Sequence, residues 1–337
     1  MLIFEQIASS SAGNMYLLHA PHTKPLLIEA GLPIAAITER VSLGGLSGLL
    51  VSHEHKDHSA SAAAITARGV PTVALPETAK KIGIRESRNY IPVKPHGVNV
   101  QVGPWHVRAI PASHDVPCAG FVITHPQHGR ALFWTDSATP PPLIKNLKVA
   151  AIETNYRPEL LEHRRQAGET SNYLAQRVKE THLSIGKALA WITAQHAREP
   201  LEAVHLLHIS ARHGDPTAFA SAARMAAPGA SVTALGEKVA TPSPDTVCVT
   251  RHDALAQYLK EIGLIDENTP ILKRATPDEI RGKHAVGIIP YWLARYAASV
   301  TVIQLNRPAV NRNRELSLPE VREAAGKPVT YRVEQIS

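Results

Sequence analysis

Cysteine is scarce. The 337 residues contain two, Cys118 and Cys248, 130 positions apart. A disulfide framework is therefore excluded as the basis of the fold, and a reducing, cytoplasmic setting is expected. No apolar run approaches the ~20 residues that a membrane span requires. The opening "MLIFEQIASSSAGN" has neither a basic segment nor a long apolar stretch, so no secretory leader and no membrane partner are expected. Internal repeats, low-complexity tracts and coiled-coil heptads are also missing. The net charge of +7 comes from dispersed residues, with no Lys/Arg block of the kind that makes a nucleic-acid-binding tail. It favours a polyanionic partner only mildly. Eighteen histidines are the unusual feature, and several of them cluster.

Periodicity divides the chain. In the first part "MLIFEQI", "MYLLHA", "KPLLIEAG", "LSGLLVS", "VPTVAL", "VNVQVG", "WHVRAIPA", "AGFVITH", "RALFWTD" and "SVTAL" read as strands. "PIAAITERV", "SASAAAITARG" (Ser-capped, stopped at Gly69), "PETAKKIG", "SIGKALAWITAQH" and "TAFASAARMAA" read as helices. Strands stacked in two sheets with helices outside suit this pattern. Residues 236–245, with Pro242 and Pro244, read as a linker between a domain over 1–235 and another over 246–337. Beyond the linker, strands and helices alternate regularly ("TVCVTR", "DALAQYLKEIG", "PILKRA", "HAVGIIP", "YWLARYAA", "VTVIQLN", "LPEVREAAG", "VTYRVEQI"). That is the pattern of a small open-sheet α/β domain.

"VSHEHKDHSA", residues 51–60, crowds three histidines and two acids into six positions where a buried strand gives way to a helix. Such groups share an interior only when something positive neutralises and orients them. In H-x-H-x-D-H, His53 and His55 can face one ion while Asp57 and His58 face a second. Imidazole with carboxylate suits zinc, manganese or iron. Glu54 and Lys56 take the variable positions and are expected to face solvent.

This spacing resembles the signature of the metallo-β-lactamase superfamily, whose fold is an αββα sandwich. The resemblance implies further ligands after later strands: His114 in "IPASHDVP", Asp136 in "ALFWTDSA" and His208 in "VHLLHISARHGDP". His205 in that last run reads alternatively as a core residue, and His213 competes for the same role. The series "SSSAGNMYLL", "LLIEAG", "HDVPCAGFVI", "LFWTDSA", "IETNY", "ETHLS" and "LLHISARHGDP" resembles the bacterial YycJ/WalJ-type group over residues 1–235. That group is regarded as metal-dependent nucleases, more distantly related to RNase Z and RNase J. By this resemblance His182 lies near the site, to contact a phosphate or assist a leaving group; an exposed loop histidine is the alternative. Glu29 departs from the Asp usual after the early strand, and "HISARHGDP" replaces a more Asn-rich loop. Asp136, where some true β-lactamases carry Cys, argues for a two-ion phosphodiesterase site. Cys118 reads as a small buried residue. The cofactors implied are two divalent ions (Zn or Mn), which lower the pKa of a water and offset charge on the phosphate. Asp57 or Asp136 would orient that water, and His182 would serve the leaving oxygen.

In residues 246–337, "VTRHDALAQYLKE", "HAVGIIPYWLA" and "RELSLPEV" resemble a small Csx-type CRISPR-associated family of type III loci, linked to cyclic oligoadenylate turnover. That implies a pocket at strand ends for a cyclic oligonucleotide. Thr250, Arg251 and His252 follow the first strand there, where backbone amides and Arg251 suit a phosphate and His252 can polarise a leaving oxygen. Arg307, Arg314 and Glu315 are lesser candidates. Tyr291 and Trp292 either stack on a base or pack. The reading is a metal-dependent phosphodiesterase that degrades cyclic oligoadenylate (a ring nuclease), with cyclic oligoadenylate or another nucleic-acid phosphodiester as partner. The alternatives are a nuclease effector activated by that messenger, a small-ester or thioester metallohydrolase, and a zinc-stabilised scaffold. Oligomeric state is left open, a homodimer being one expectation.

Overall fold

The computed structural model describes residues 1–236, 246–305, 316–326 and 328–331. The chain divides into two compact units, residues 1–237 and 238–337.

The first unit holds two sheets. One runs β1 (Ile3–Ser10), β2 (Gly13–His19), β3 (Leu26–Ile28), β4 (Gly48–Leu50), β5 (Thr72–Ala74), β6 (Tyr90–Pro92) in spatial order. Its first three strands pair antiparallel and the rest parallel. The other contains β7 (Val100–Val102), β8 (Trp105–Ala112), β9 (Cys118–His125), β10 (Gly129–Trp134), β11 (Leu147–Glu153), β12 (Ala203–Leu207) and β13 (Ser231–Ala234), in the reverse spatial order. Here β7 to β10 pair antiparallel and β10 to β13 parallel.

Period-two patterning explains the layers, because alternate side chains leave opposite faces of a strand. Phe4, Tyr16, Leu26 and Leu50 of the first sheet meet Trp105, Phe121, Phe133 and Val149 of the second in one core between the sheets. Val122, Leu132, Ala150 and Leu206 face the other way. They pack on Trp191 and Ile192 of helix Ile185–Arg198 and on Phe219 of helix Pro216–Ala226. Leu17, Leu27 and Leu49 take Ile37 and Ile65 from helices Ile34–Arg40 and Ala62–Ala67. Helices thus cover both outer faces, giving the αββα sandwich. Every buried aliphatic side chain contributes about 1.5–3 kcal/mol to this arrangement.

Local details differ from the sequence reading. Ser61 stands before helix Ala62–Ala67 but makes no cap; its hydroxyl donates to the Leu32 carbonyl at 2.6 Å. Strands β6 and β11 and helices Pro158–Gln166 and Asn172–Thr181 are additions to the elements expected from the sequence.

Among the described residues of the second unit five strands form one sheet. They are β14 (Thr246–Val249), β15 (Ile271–Leu272), β16 (His284–Gly287), β17 (Ser299–Val302) and β18 (Val329–Tyr331), in the order β15-β14-β16-β17-β18. All pairings are parallel except β17 with β18. Among the described residues no helix is long and apolar enough to cross a membrane.

Candidate metal centre

Strands β3, β4, β8, β10, β11 and β12 all end at one edge of the sandwich. The residues just beyond them, or at their last position, converge there: Glu29 after β3, His53 to His58 after β4, His114 after β8, Asp136 after β10, Glu153 at the end of β11, His208 after β12. Three of these, Glu29 (φ 63°), Asp136 (φ 49°) and His208 (φ 51°), hold left-handed backbone conformations. That costs energy for a residue with a Cβ and is typical of turns whose side-chain direction matters more than their strain. Gly31 makes the convergence possible, since a Cβ there would lie 1.7 Å from the Asp57 carbonyl oxygen.

Four overlapping groups result, each with ligand atoms within 4.8 Å of one another: His53–His55–His114, Asp57–His58–His208, His53–His58–Asp136, and Asp136–Glu153–His182–His208. All seven histidines and aspartates expected as ligands fall within them, and His182 joins them. His53 Nε2 and His114 Nε2 stand 3.1 and 3.3 Å from His55 Nδ1. His58 Nε2 is 3.2 Å from Asp136 Oδ2 and 3.3 Å from Asp57 Oδ2.

At His53, His114 and His208 the outward nitrogen is occupied, which fixes ring orientation as in metal sites. His114 Nδ1 donates to the Thr181 carbonyl at 3.1 Å, leaving Nε2 for the cluster. His53 Nδ1 lies 2.8 Å from Ser52 Oγ. His208 Nδ1 donates to Glu153 Oε1 at 3.0 Å. Glu29 Oε1 accepts from the Ser52 amide, while its Oε2 faces His58 Nδ1 across 3.6 Å, both atoms lacking a hydrogen bond. Asn14 Nδ2 lies 3.0 Å from His58 Nε2 and donates to the Asp57 carbonyl, and Tyr16 Oη donates to Asn14 Oδ1.

Electrostatics sort the protonation states. Burial, then the charge on His58, pushes His53 well below the usual imidazole range, and burial lowers His114 likewise. Burial opposes ionisation of Asp136, yet His208, His58 and His53 hold it well below the usual carboxylate range. Neutral imidazoles and ionised carboxylates are the forms that bind metal. The donor set fits divalent ions: His53 and His114 favour the neutral form and Asp136 stays ionised, while, against burial, Asp136, Asp57 and Glu29 push His58 well above the usual imidazole range, a proton that a bound ion would displace.

His182 occupies the break between two helices. Helix Asn172–Thr181 stops at Thr181, and the next, Ile185–Arg198, starts under a cap in which Ser184 Oγ accepts from Lys187 N. In that extended break His182 Nδ1 donates to Glu153 Oε1 at 2.8 Å. Burial disfavours the imidazolium, but Glu153, through charge and hydrogen bond, and then Asp136 push His182 up to about 9.

Glu153, the acid of "IETNY", has no role on sequence grounds. In the structure it is fully buried and accepts four donors: His182, His208, and the amides of Ser137 and Leu183 at 3.1 Å each. The other expected residues divide between core and surface. His205 lies in the core against Phe4, its Nδ1 2.7 Å from Thr233 Oγ1. His213 is buried on Thr170 Oγ1 at 2.9 Å, outside the four groups. Cys118 is buried, its sulfur 3.7 Å from His53 Nδ1. Lys56 is exposed, but Glu54 is half-buried rather than facing solvent.

In the second unit Thr250, Arg251 and His252 come directly after β14 and line a cavity of about 450 Å³ with Lys273, Arg274 and Trp292. Thr250 is buried, and its Oγ1 accepts from the His252 amide at 3.1 Å, so its hydroxyl shapes the turn. Trp292 is 59% exposed, and Tyr291 at 94% is not packed at all. Arg307, Arg314 and Glu315 lie outside the described residues.

Comparison with known proteins gives one family. The model of the Beta-lactamase superfamily domain matches residues 26–209. The metallo-beta-lactamase fold protein YhfI from Bacillus subtilis aligns with TM-score 0.54 at 16% identity, over 69% of this chain and 95% of its own. Zn(2+)-bound PqqB from Methylobacterium extorquens aligns with TM-score 0.52 at 10% identity, over 71% of this chain and 99% of its own. At these identities the likeness is one of fold. No curated protein matches the chain.

Proposed function

The chain belongs to the beta-lactamase superfamily; from that premise we propose that it is a metal-dependent hydrolase that cleaves a nucleotide phosphodiester. The observation that carries this reading is the junction of two ligand groups at Asp136 and His58, with the His182 imidazole held beside them by Glu153. His53, His55 and His114 would hold one divalent ion, and Asp57, His58 and His208 a second, with Asp136 between them. Such a pair supplies a water of lowered pKa and positive charge that offsets the phosphate's. The residues do the rest. Asp57 and Asp136, which only accept, orient the attacking water. His182, held by Glu153 at Nδ1, presents Nε2–H to the oxygen that leaves as its bond to phosphorus breaks. Glu29 backs His58 at Nδ1, and Asn14, 3.0 Å from Nε2, anchors the same turn through the Asp57 carbonyl.

The finer reading assigns a cyclic oligoadenylate as substrate and ring opening as the reaction. It is supported by the resemblance of residues 246–337 and by the cavity after β14, where Arg251, Lys273 and Arg274 offer charge and Trp292 an exposed ring for a base. A second reading is favoured by one observation. All four metal-type groups among the described residues belong to the first unit, so recognition by the second and cleavage by the first are separable. In that reading the messenger switches on a nuclease. Incubation with cyclic tetra-adenylate and with single-stranded DNA, with and without divalent metal, decides between them. Metal-dependent opening of the ring supports degradation. DNA cleavage only when the messenger is added overturns it.

A further inference from the structure

Two contiguous cavities cross the metal centre. One, of about 240 Å³, lies over His55, Asp57, His114 and Asp136. The other, of about 390 Å³, lies beyond His208 along Ser210 to His213. They share Ser11, Leu174, Val178, His182 and His208, so one groove continues past the cluster with an apolar strip along one side. Leu174 and Val178, four apart on helix Asn172–Thr181, form that strip. Each half carries an arginine. Arg177 lines the first, where its guanidinium donates to Asp115 Oδ2 at 3.1 Å. The other oxygen of Asp115 is 3.1 Å from His114 Nε2 and 3.5 Å from His55 Nε2, which fixes Arg177 at that end of the cluster.

Arg212 lines the second half, is exposed, and has no ion-pair partner among the described residues. Its loop is built. Ser210 Oγ accepts from the amides of Arg212 and His213, the His213 carbonyl accepts from Arg157 N, and the buried His213 ring holds Thr170. Among the described residues none that is acidic lines this second cavity. A fixed loop that presents a guanidinium to a half of the groove lined, among the described residues, by no carboxylate, with Asp57 and Asp136 confined to the other half, is suited to an anion.

We propose that Arg212 and Arg177 hold the phosphates flanking the scissile one, so that the centre selects a strand or ring of linked nucleotides over an isolated phosphodiester. This rests on the phosphodiesterase reading and names its specificity-determining residues. Leu174 and Val178 would take the apolar face of a base between the scissile phosphate and the one on Arg212.

The test compares kcat/KM for bis(p-nitrophenyl) phosphate, which has no flanking phosphate, with that for linear hexa-adenylate and cyclic tetra-adenylate. The full chain is used, loaded with Mn2+ or Zn2+, as wild type, Arg212→Ala and Arg177→Ala. In Arg212→Ala the nucleotide-to-small-ester ratio is expected to fall about tenfold, mainly through KM. The salt dependence should flatten by roughly 0.7 in log–log slope for the lost contact. Arg212→Lys should restore part of the ratio. A ratio that stays within twofold of wild type in both alanine variants overturns the proposal. So does hydrolysis of the small ester with no cleavage of either nucleotide. Hydrolysis of none of the three defeats the phosphodiesterase reading itself, and the proposal with it.

Discussion

Replacing Glu153 with Gln probes the proton-donor half of the site. Glu153 Oε1 accepts from the Nδ1 atoms of His182 and His208, and Oε2 from two backbone amides. An amide puts a donor where one of those oxygens was, so two buried donors lose their acceptor at about 1–3 kcal/mol each. The charge matters more for catalysis. With Glu153 in place His182 sits at about 9. Without the carboxylate it falls towards an ordinary imidazole value of about 6.5, a change of roughly 3 kcal/mol. At pH 8 the protonated fraction then drops from about 0.9 to about 0.03, so kcat falls about thirtyfold; near pH 5.5 the loss is small. The assay is a pH–rate profile for metal-loaded Glu153→Gln, with metal content and thermal unfolding recorded alongside. The alkaline limb should move down by about two and a half units. An unshifted limb with folded, metal-loaded protein would refute the reasoning, because Glu153 would then serve the fold alone.

Gly31→Ala places a Cβ 1.7 Å from the Asp57 carbonyl, so the metal-ligand turn must shift. The expected loss is on the order of 3 kcal/mol of stability, read by thermal unfolding, together with weaker metal retention. His205 is held down to about 4 by burial. Its folded pKa lies below the unfolded ~6.5, so its contribution is complete above that value and is lost as pH falls towards 4, up to about 3 kcal/mol. Denaturant titrations of His205→Leu at pH 7 and pH 4.5 should show a shallower acid loss than wild type. Exchanging both Arg251 and Lys273 for Ala should weaken binding of labelled cyclic tetra-adenylate at least tenfold, with metal content unaltered.

The metal centre is legible in the sequence because its first four residues lie within six positions, on a turn that fans neighbouring side chains apart. His114, Asp136 and His208 are legible through the family resemblance, which calls for ligands just past the ends of later apolar strands, where these three stand. Glu153 is not, because a single acid closing an apolar strand looks like a solvent-facing terminus; only the arrival of His182 and His208 from distant elements gives it four donors. The left-handed turns at Glu29, Asp136 and His208 leave no trace in composition either, since each is imposed by its surroundings. Strands β6 and β11 are hidden for related reasons. β6 is short, and β11 is buried on almost every residue, so it carries no alternation to read. In the second unit "VTRHDA" points to the right turn, but Lys273 and Arg274 become partners of Arg251 only through the parallel pairing of β14 with β15.

The central claim is that the cluster after these strands is a two-ion hydrolytic centre. Metal content per chain, measured together with phosphodiester hydrolysis in wild type, Asp57→Ala and His58→Ala, tests it most directly. The account predicts two divalent ions in wild type, with hydrolysis and one or both ions lost in each variant. Hydrolysis at the wild-type rate in both folded variants would contradict it.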